Sequence, residues 1–205
     1  MKVELLFITP DAEKLIERAG RTAYQSFEKQ KEGSEKKFIR SIVKRGHLSV
    51  IEHAYATFKI SGVSRAFTHQ LVRHRLCSFT QESQRYVNFE NFKFVTPESI
   101  KSRPIVNSIY QRLMEDIRDT YKYLQSAGIK NEDARFVLPN ATETEIVVTA
   151  NFRQWYHIIQ LRGSKNAQWE IRQVAIKVLE ILQKFAPSVF GEFKIDKEKE
   201  TIKCE

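Results

Sequence analysis

Apolar and polar residues alternate along YATFKISG (55–62): Ala56, Phe58 and Ile60 fall on one side, Tyr55, Thr57 and Lys59 on the other. A two-residue period predicts a half-buried strand. The run VELLFIT is rich in β-formers and predicts an opening strand over 2–8; TEIVVTAN (144–151) is β-branched and predicts a buried one. Elsewhere the period becomes helical. Pro10 and Asp11 fit a helix start followed by Leu15, Ile16 and Ala19. Ser34 fits the cap of a second helix that carries Phe38, Ile39, Ile42 and Val43 inward until Gly46. Val63, Phe67 and Leu71 predict helix over 63–72, and Ile109, Leu113, Ile117 and Leu124 predict one apolar face of a helix that stops near Gly128. Phe152–Leu161 and Ala167–Phe185 read as two more helices, the second carrying Ile171, Val174, Ala175, Val178, Leu182 and Phe185 in register. The tail KIDKEKETIKCE is polar and reads as frayed.

No repeat, linker or low-complexity tract divides these elements. They predict one compact α+β domain over 1–205, a β-sheet packed against several helices. A chain of 205 residues buries roughly 70 % of its unfolded surface, so it needs neither disulfide nor metal to fold. The first residues do not resemble a secretory signal, and no apolar run approaches the roughly 20 residues of a membrane span. With only Cys77 and Cys204, far apart in sequence, the expectation is a reduced, cytoplasmic setting.

Charge narrows the partner. Net charge is +9, which favours an anion: a nucleotide, nucleic acid or an anionic membrane. Acidic residues are interleaved throughout, which argues against a disordered basic arm. No GxGxxG or GxxxxGK[ST] loop occurs, so neither a Rossmann motif nor a P-loop is available. The histidines at 47, 53, 69, 74 and 157 lack HExxH spacing and no cysteine pair is present, so no metal site is expected.

The chemistry concentrates in RHRLCSFTQESQRY (73–86) and NFRQWYHIIQLRGSKNAQWEI (151–171). If 63–75 is helical, Gln70 lies one turn from Arg73 and His74. If the chain is extended after Phe79, then Gln81, Ser83 and Arg85 point the same way. Arginine forks in this company suit phosphate. Taken singly, the same arginines fit carbonyl caps or surface pairs, with Glu82 as the local carboxylate. In the second stretch Asn151 fits a helix cap, Arg153 and His157 share a face, and Phe152, Trp155 and Ile159 mark an apolar one. Arg162, just before Gly163, fits a carbonyl cap at a helix terminus. Cys77, beside His74 and Arg75, reads either as an activated thiol or as a small packing residue.

Arg73-His74-Arg75, seven residues, then Ser83 resembles the RHR-x7-S signature of the flavin-dependent thymidylate synthases. Gln84-Arg85-Tyr86, GHLSVIEHA (46–54), ARFVLP (134–139), the Asn151/Arg153 pair and Leu161-Arg162 extend the likeness across most of the chain. The resemblance implies a cytoplasmic homotetramer of α+β subunits with active sites between subunits, and tightly bound FAD. It implies methylation of dUMP to dTMP with 5,10-methylenetetrahydrofolate as carbon donor and NADPH as reductant, releasing tetrahydrofolate, without an enzyme thiol as nucleophile. Neither nucleic acid nor membrane is a partner on this reading; a basic nucleic-acid-binding module is the competing class. By resemblance the nucleotide site holds Gln70, Arg73, Gln81, Glu82, Ser83, Gln84, Arg85, Arg135 and Arg162. The FAD site holds Ser49, Arg73, His74, Arg75, Gln81, Asn151, Arg153 and His157, with His47 near the flavin. Gln81 and Asn166 stand where some relatives have glutamate and histidine. Arg162 is the catalytic residue implied: a guanidinium on the N3/O2 edge of uracil would stabilise developing negative charge by about 3 kcal/mol or more.

Overall fold

The computed structural model describes residues 1–204. In chain order they form β1 (Lys2–Ile8), α1 (Ala12–Thr22), α2 (Ser34–Lys44), β2 (Tyr55–Ser64), α3 (Arg65–Leu71), β3 (Ser78–Gln81), α4 (Glu98–Lys101), α5 (Pro104–Ser126) and α6 (Asn131–Ala134). There follow β4 (Glu143–Asn151), α7 (Phe152–Arg162), α8 (Trp169–Phe185), α9 (Pro187–Phe190), β5 (Phe193–Asp196) and β6 (Thr201–Cys204). One sheet runs in the order β1-β2-β4-β3, and β5 and β6 pair separately. The class is α+β, as expected. Two compact units are distinguishable: a smaller one of Met1–Lys2, Ser61–Gln70 and Thr80–Ile146, and a larger one of Val3–Ile60, Leu71–Phe79 and the chain from Val147 onward. Among the described residues no helix is long and apolar enough to cross a membrane.

In the larger unit the alternation of β2 holds: Ala56, Phe58 and Ile60 are fully buried. The segment β4–α7 is docked on it by two carbonyls of that strand region. Phe152 N–H donates to the Ala54 carbonyl at 2.8 Å. The Trp155 indole N–H donates to the Ala56 carbonyl at 3.0 Å, while its ring meets Phe58 edge-on at 5.0 Å. Asn151 caps α7 as its sequence predicts, its side-chain oxygen accepting from Gln154 N–H at 2.8 Å. Helix α8 buries Ile171, Val174, Ala175, Val178 and Leu182, but Phe185 at its end is exposed.

Two local expectations change. Ser34 is the first residue of α2 and not its cap; Gly33 stands there, in the left-handed region at φ 77°. The Ser34 hydroxyl is engaged by Glu17 (2.7 Å), a fully buried carboxylate that also accepts from Arg21 Nε at 2.9 Å. A buried carboxylate needs several donors, and that requirement outweighs a local cap. The tail is also not frayed. It folds into the antiparallel β5–β6 hairpin, burying Phe193, Thr201 and Ile202. Its charge sits at exposed positions, Lys194, Lys197 and Lys203 among them.

In the smaller unit α5 buries Met114 and Tyr121, and Tyr121 sits in a cluster with Phe89, Phe92 and Ala134, with Ile117 and Leu124 at its edge. Ile109 and Leu113, expected on the inner face, are exposed. The inner face instead runs Tyr110, Met114, Ile117, Tyr121, Leu124. Its tyrosines satisfy buried backbone as well as packing: Tyr110 donates to the Val95 carbonyl at 2.8 Å and Tyr121 Oη accepts from Phe89 N–H at 3.4 Å. A count of aliphatic residues alone does not see that polar end.

Candidate active site

Helix α3 stops at Leu71, so Gln70 and the arginine–histidine motif do not share a helix. His74 N–H donates to the Leu71 carbonyl and Arg75 N–H to the Arg73 carbonyl, both at 3.1 Å, which sets Arg73–Arg75 in a turn. After Leu71 the residues Val72, Arg73, Arg75 and Leu76 are exposed, leaving no apolar stripe to continue the helix. Only His74 of the motif is buried.

In the larger unit His74 meets Arg162. Arg162 Nε donates to His74 Nε2 at 2.9 Å. The arginine is therefore not simply a carbonyl cap; the Ile159 carbonyl near the end of α7 accepts from Gly163 N–H at 2.8 Å. Burial first, then the charge of Arg162 and the nearby His157, push the His74 pKa down to about 4. The ring is neutral at pH 7 and presents a lone pair to the guanidinium. Burial and then Arg73 also lower the Arg162 pKa from its ordinary value. Two cations and a neutral acceptor are thus held together.

This neutral histidine gives a stability prediction. Between pH 6.5 and about 4 the unfolded chain takes up a proton at His74 that the folded chain refuses. Stability should fall as pH drops through that window, with a slope of up to about 1.4 kcal/mol per pH unit from this site, and be insensitive to it above. Urea unfolding of the wild type and His74→Asn at pH 7, 5.5 and 4.5 checks this. A variant that loses stability as steeply as the wild type refutes it.

Helix α7 also lines a cavity of about 700 Å³. Asn151, Arg153, His157 and Gln160 contribute polar groups; Tyr55, Tyr156, Leu48 and Leu76 contribute apolar wall. Arg153 and His157 share this face as their spacing predicts. Sequence reading missed Gln160, which follows at i+7 from Arg153 on the same face, and Glu52, which lies within GHLSVIEHA and forms an ion pair with Arg153. A cation, hydrogen-bonding groups and aromatic walls in one space of this size fit a group that joins phosphates to planar rings. Ser49 and His47 line a different cavity, about 560 Å³, beside Gly20 and Arg21 of α1. Asn166 is exposed. Cys77 is no activated thiol: burial raises its pKa to about 11 against the opposing hydrogen bond with Gln154.

The smaller unit collects the rest. Strand β3 ends at Gln81, so Gln81, Ser83 and Arg85 do not alternate along one strand. Ser83 instead opens a turn, its carbonyl accepting from Val87 N–H at 3.0 Å and its Oγ from Arg85 N–H at 3.3 Å. A serine hydroxyl competes with the ladder for backbone donors. Gln81 Nε2 donates to Thr68 Oγ1 at 2.9 Å, while Thr68 donates onward to the Arg65 carbonyl at 3.0 Å. An amide suits this chain of donors, which explains how glutamine is accommodated. Arg65, absent from the sequence expectations, donates through Nη2 to the Glu82 carbonyl at 2.7 Å. Burial lowers its pKa, the Glu82 charge opposes that and Arg135 adds to it, so two guanidiniums lie within electrostatic reach. Arg135 Nε donates to the Glu132 carbonyl at 3.0 Å, and Arg85 pairs with the Glu132 carboxylate at 3.1 Å. That pair is solvent-exposed and worth at most about 1 kcal/mol. Gln70 donates to the Ala66 carbonyl at 3.3 Å, and Gln84 is half-buried in the same turn as Ser83.

The family described as thymidylate synthase complementing protein matches residues 4–188. The chain is 43 % identical over 198 residues to a flavin-dependent thymidylate synthase of Geobacter sulfurreducens, covering 93 % of this chain and 85 % of the relative. It is 45 % identical over 174 residues to that of Pyrococcus furiosus, covering 83 % and 71 %. The crystal structure of a flavin-dependent thymidylate synthase from Helicobacter pylori, complexed with FAD and dUMP, superposes with a TM-score of 0.78 at 26 % identity, covering 93 % of this chain and 98 % of that one.

Proposed function

The chain belongs to the family of flavin-dependent thymidylate synthases, and from that premise we propose that it converts dUMP to dTMP by reductive methylation. 5,10-Methylenetetrahydrofolate is the carbon donor, NADPH the reductant, and the setting a cytoplasmic homotetramer with active sites between subunits. The observation that carries the reading is Arg162 bound to a neutral His74 at 2.9 Å, which joins the motif histidine to the arginine proposed to act on the pyrimidine ring.

Uracil is a poor electrophile and a poor carbon nucleophile, so its ring must carry negative charge along the reaction. Arg162 stays protonated, and the hydrogen bond to His74 orients a guanidinium that would stabilise negative charge developing on the N3/O2 edge. A neutral acceptor serves here because a protonated imidazole would repel the guanidinium. Arg73, Arg135 and the turn Gln81–Arg85 bind the nucleotide, with Ser83 orienting the base. Asn151, Arg153, His157, His74 and Arg75 hold FAD, Arg153 exchanging Glu52 for a phosphate; Ser49 lines the separate cavity beside α1. Bound FAD supplies the hydride that a side chain cannot. Cys77, a protonated thiol, takes no part.

The purified protein should show oxidised-flavin absorbance, bleach with NADPH and form dTMP only when dUMP and the folate are both present. Cys77→Ala should keep at least half of that activity. Protein that stays colourless after FAD reconstitution overturns the proposal. So does affinity for nucleic acid that falls steeply with salt and is not displaced by dUMP. Loss of activity in Cys77→Ala with flavin retained would restore a thiol mechanism.

A further inference from the structure

We propose that the β5–β6 hairpin is a positioning element for Arg162, acting through Ile202 on Gly163. The inference rests on the role of Arg162 proposed above and goes beyond it. The family match ends at residue 188, before the hairpin begins.

Ile202 N–H donates to the Gly163 carbonyl at 2.8 Å. Gly163 is the C-cap of α7, where helix carbonyls lack partners of their own. Its missing side chain is what lets the hairpin approach. A Cβ there would lie 2.6 Å from both Cβ and Cδ1 of Ile202, and 2.7 Å from the Ile159 carbonyl oxygen. Ile202 lies opposite Ile195 in the hairpin and is itself buried, so its side chain seals the contact that its N–H directs. A second grip lies seven residues earlier on the same helix. The Phe193 ring packs on Tyr156 with centroids 4.6 Å apart, and the Tyr156 hydroxyl donates to Glu192.

These contacts bracket the last two turns of α7. Arg162 is then fixed twice: its side chain by His74, and the backbone beside it by Ile202. A long arginine with only its guanidinium tethered can shift by an ångström as its helix end frays. Such a displacement costs on the order of a hundredfold in rate. Ile202 acts on the reaction only through Gly163 and Arg162, which makes it a positioning residue.

The test uses the full-length, flavin-loaded enzyme with Ile202→Ala, Ile202→Pro and Ile195→Ala. The proline removes the N–H aimed at Gly163, a position where strands tolerate its loss; Ile195→Ala removes equal bulk from the paired position. Expected kcat for dUMP conversion falls about tenfold in Ile202→Ala and up to about a hundredfold in Ile202→Pro. KM for dUMP and flavin content stay within about twofold of wild type, amide exchange over 159–163 accelerates, and Ile195→Ala changes neither kcat nor exchange. Unchanged kcat in Ile202→Ala overturns the proposal even if the proline variant fails to fold. Equal losses in Ile195→Ala, or a fall in kcat matched by a fall in bound flavin, also overturn it, since the hairpin would then be a general brace. A wild type that does not convert dUMP refutes the proposed function instead; amide exchange then still judges the clamp, and slow exchange in Ile202→Ala rejects it.

Discussion

Arg162→Ala should lower dTMP formation by about a hundredfold or more while the protein stays yellow, the consequence of losing about 3 kcal/mol of charge stabilisation. The loss should fall on kcat more than on KM for dUMP, because the ring acquires its charge only on the way to the transition state. Arg162→Lys should not restore activity: an ammonium lacks the planar, delocalised guanidinium that contacts His74 through Nε. A linked readout lies on the partner. The Arg162 charge is one of the causes that hold the His74 pKa near 4. Removing it should move the His74 titration, followed by NMR, up toward 6.5. Turnover near wild type in Arg162→Ala, or a His74 titration that does not move, would remove the proposed role.

The largest stability effect should come from Trp155→Ala, with a loss of about 4 kcal/mol. Trp155 is fully buried in the larger unit, where its ring packs on Phe58 and its N–H satisfies the Ala56 carbonyl. Alanine leaves a cavity and removes a hydrogen bond to a buried carbonyl together. For a chain of this length that should lower Tm by about 8–16 °C. Trp155→Phe keeps most of the bulk and loses the donor, so its cost should be nearer 1–2 kcal/mol. Thermal unfolding checks both; a fall of less than about 3 °C in Trp155→Ala would mean that α7 does not depend on this anchor. Because α7 carries Arg153, His157 and Arg162 and is capped by Asn151, flavin retention should fail at a lower temperature in the same variant.

Legibility followed the range of the forces involved. The strand over 55–62, the Asn151 cap and the shared face of Arg153 and His157 depend on neighbours within a few residues, and all three were readable, although β2 runs on to Ser64 and takes Val63 from the helix expected over 63–72. The helical reading of 73–75 and the extended reading of 83–85 failed at element ends. There the deciding partners were the Leu71 carbonyl, the Ser83 hydroxyl and the backbone donors after it. Arg65 escaped notice because nothing in its local sequence marks it; it matters through the Glu82 carbonyl and the charge of Arg135.

By itself the order of residues determined the α+β class, most helices and strands, and the family. Tertiary structure alone decided that His74 is neutral, that it accepts from Arg162, that Cys77 keeps its proton, and that a polar tail becomes a hairpin seated on Gly163. The reason is physical: periodicity and capping are written in residues three or four apart, whereas protonation, burial and close approach depend on groups that only folding brings together.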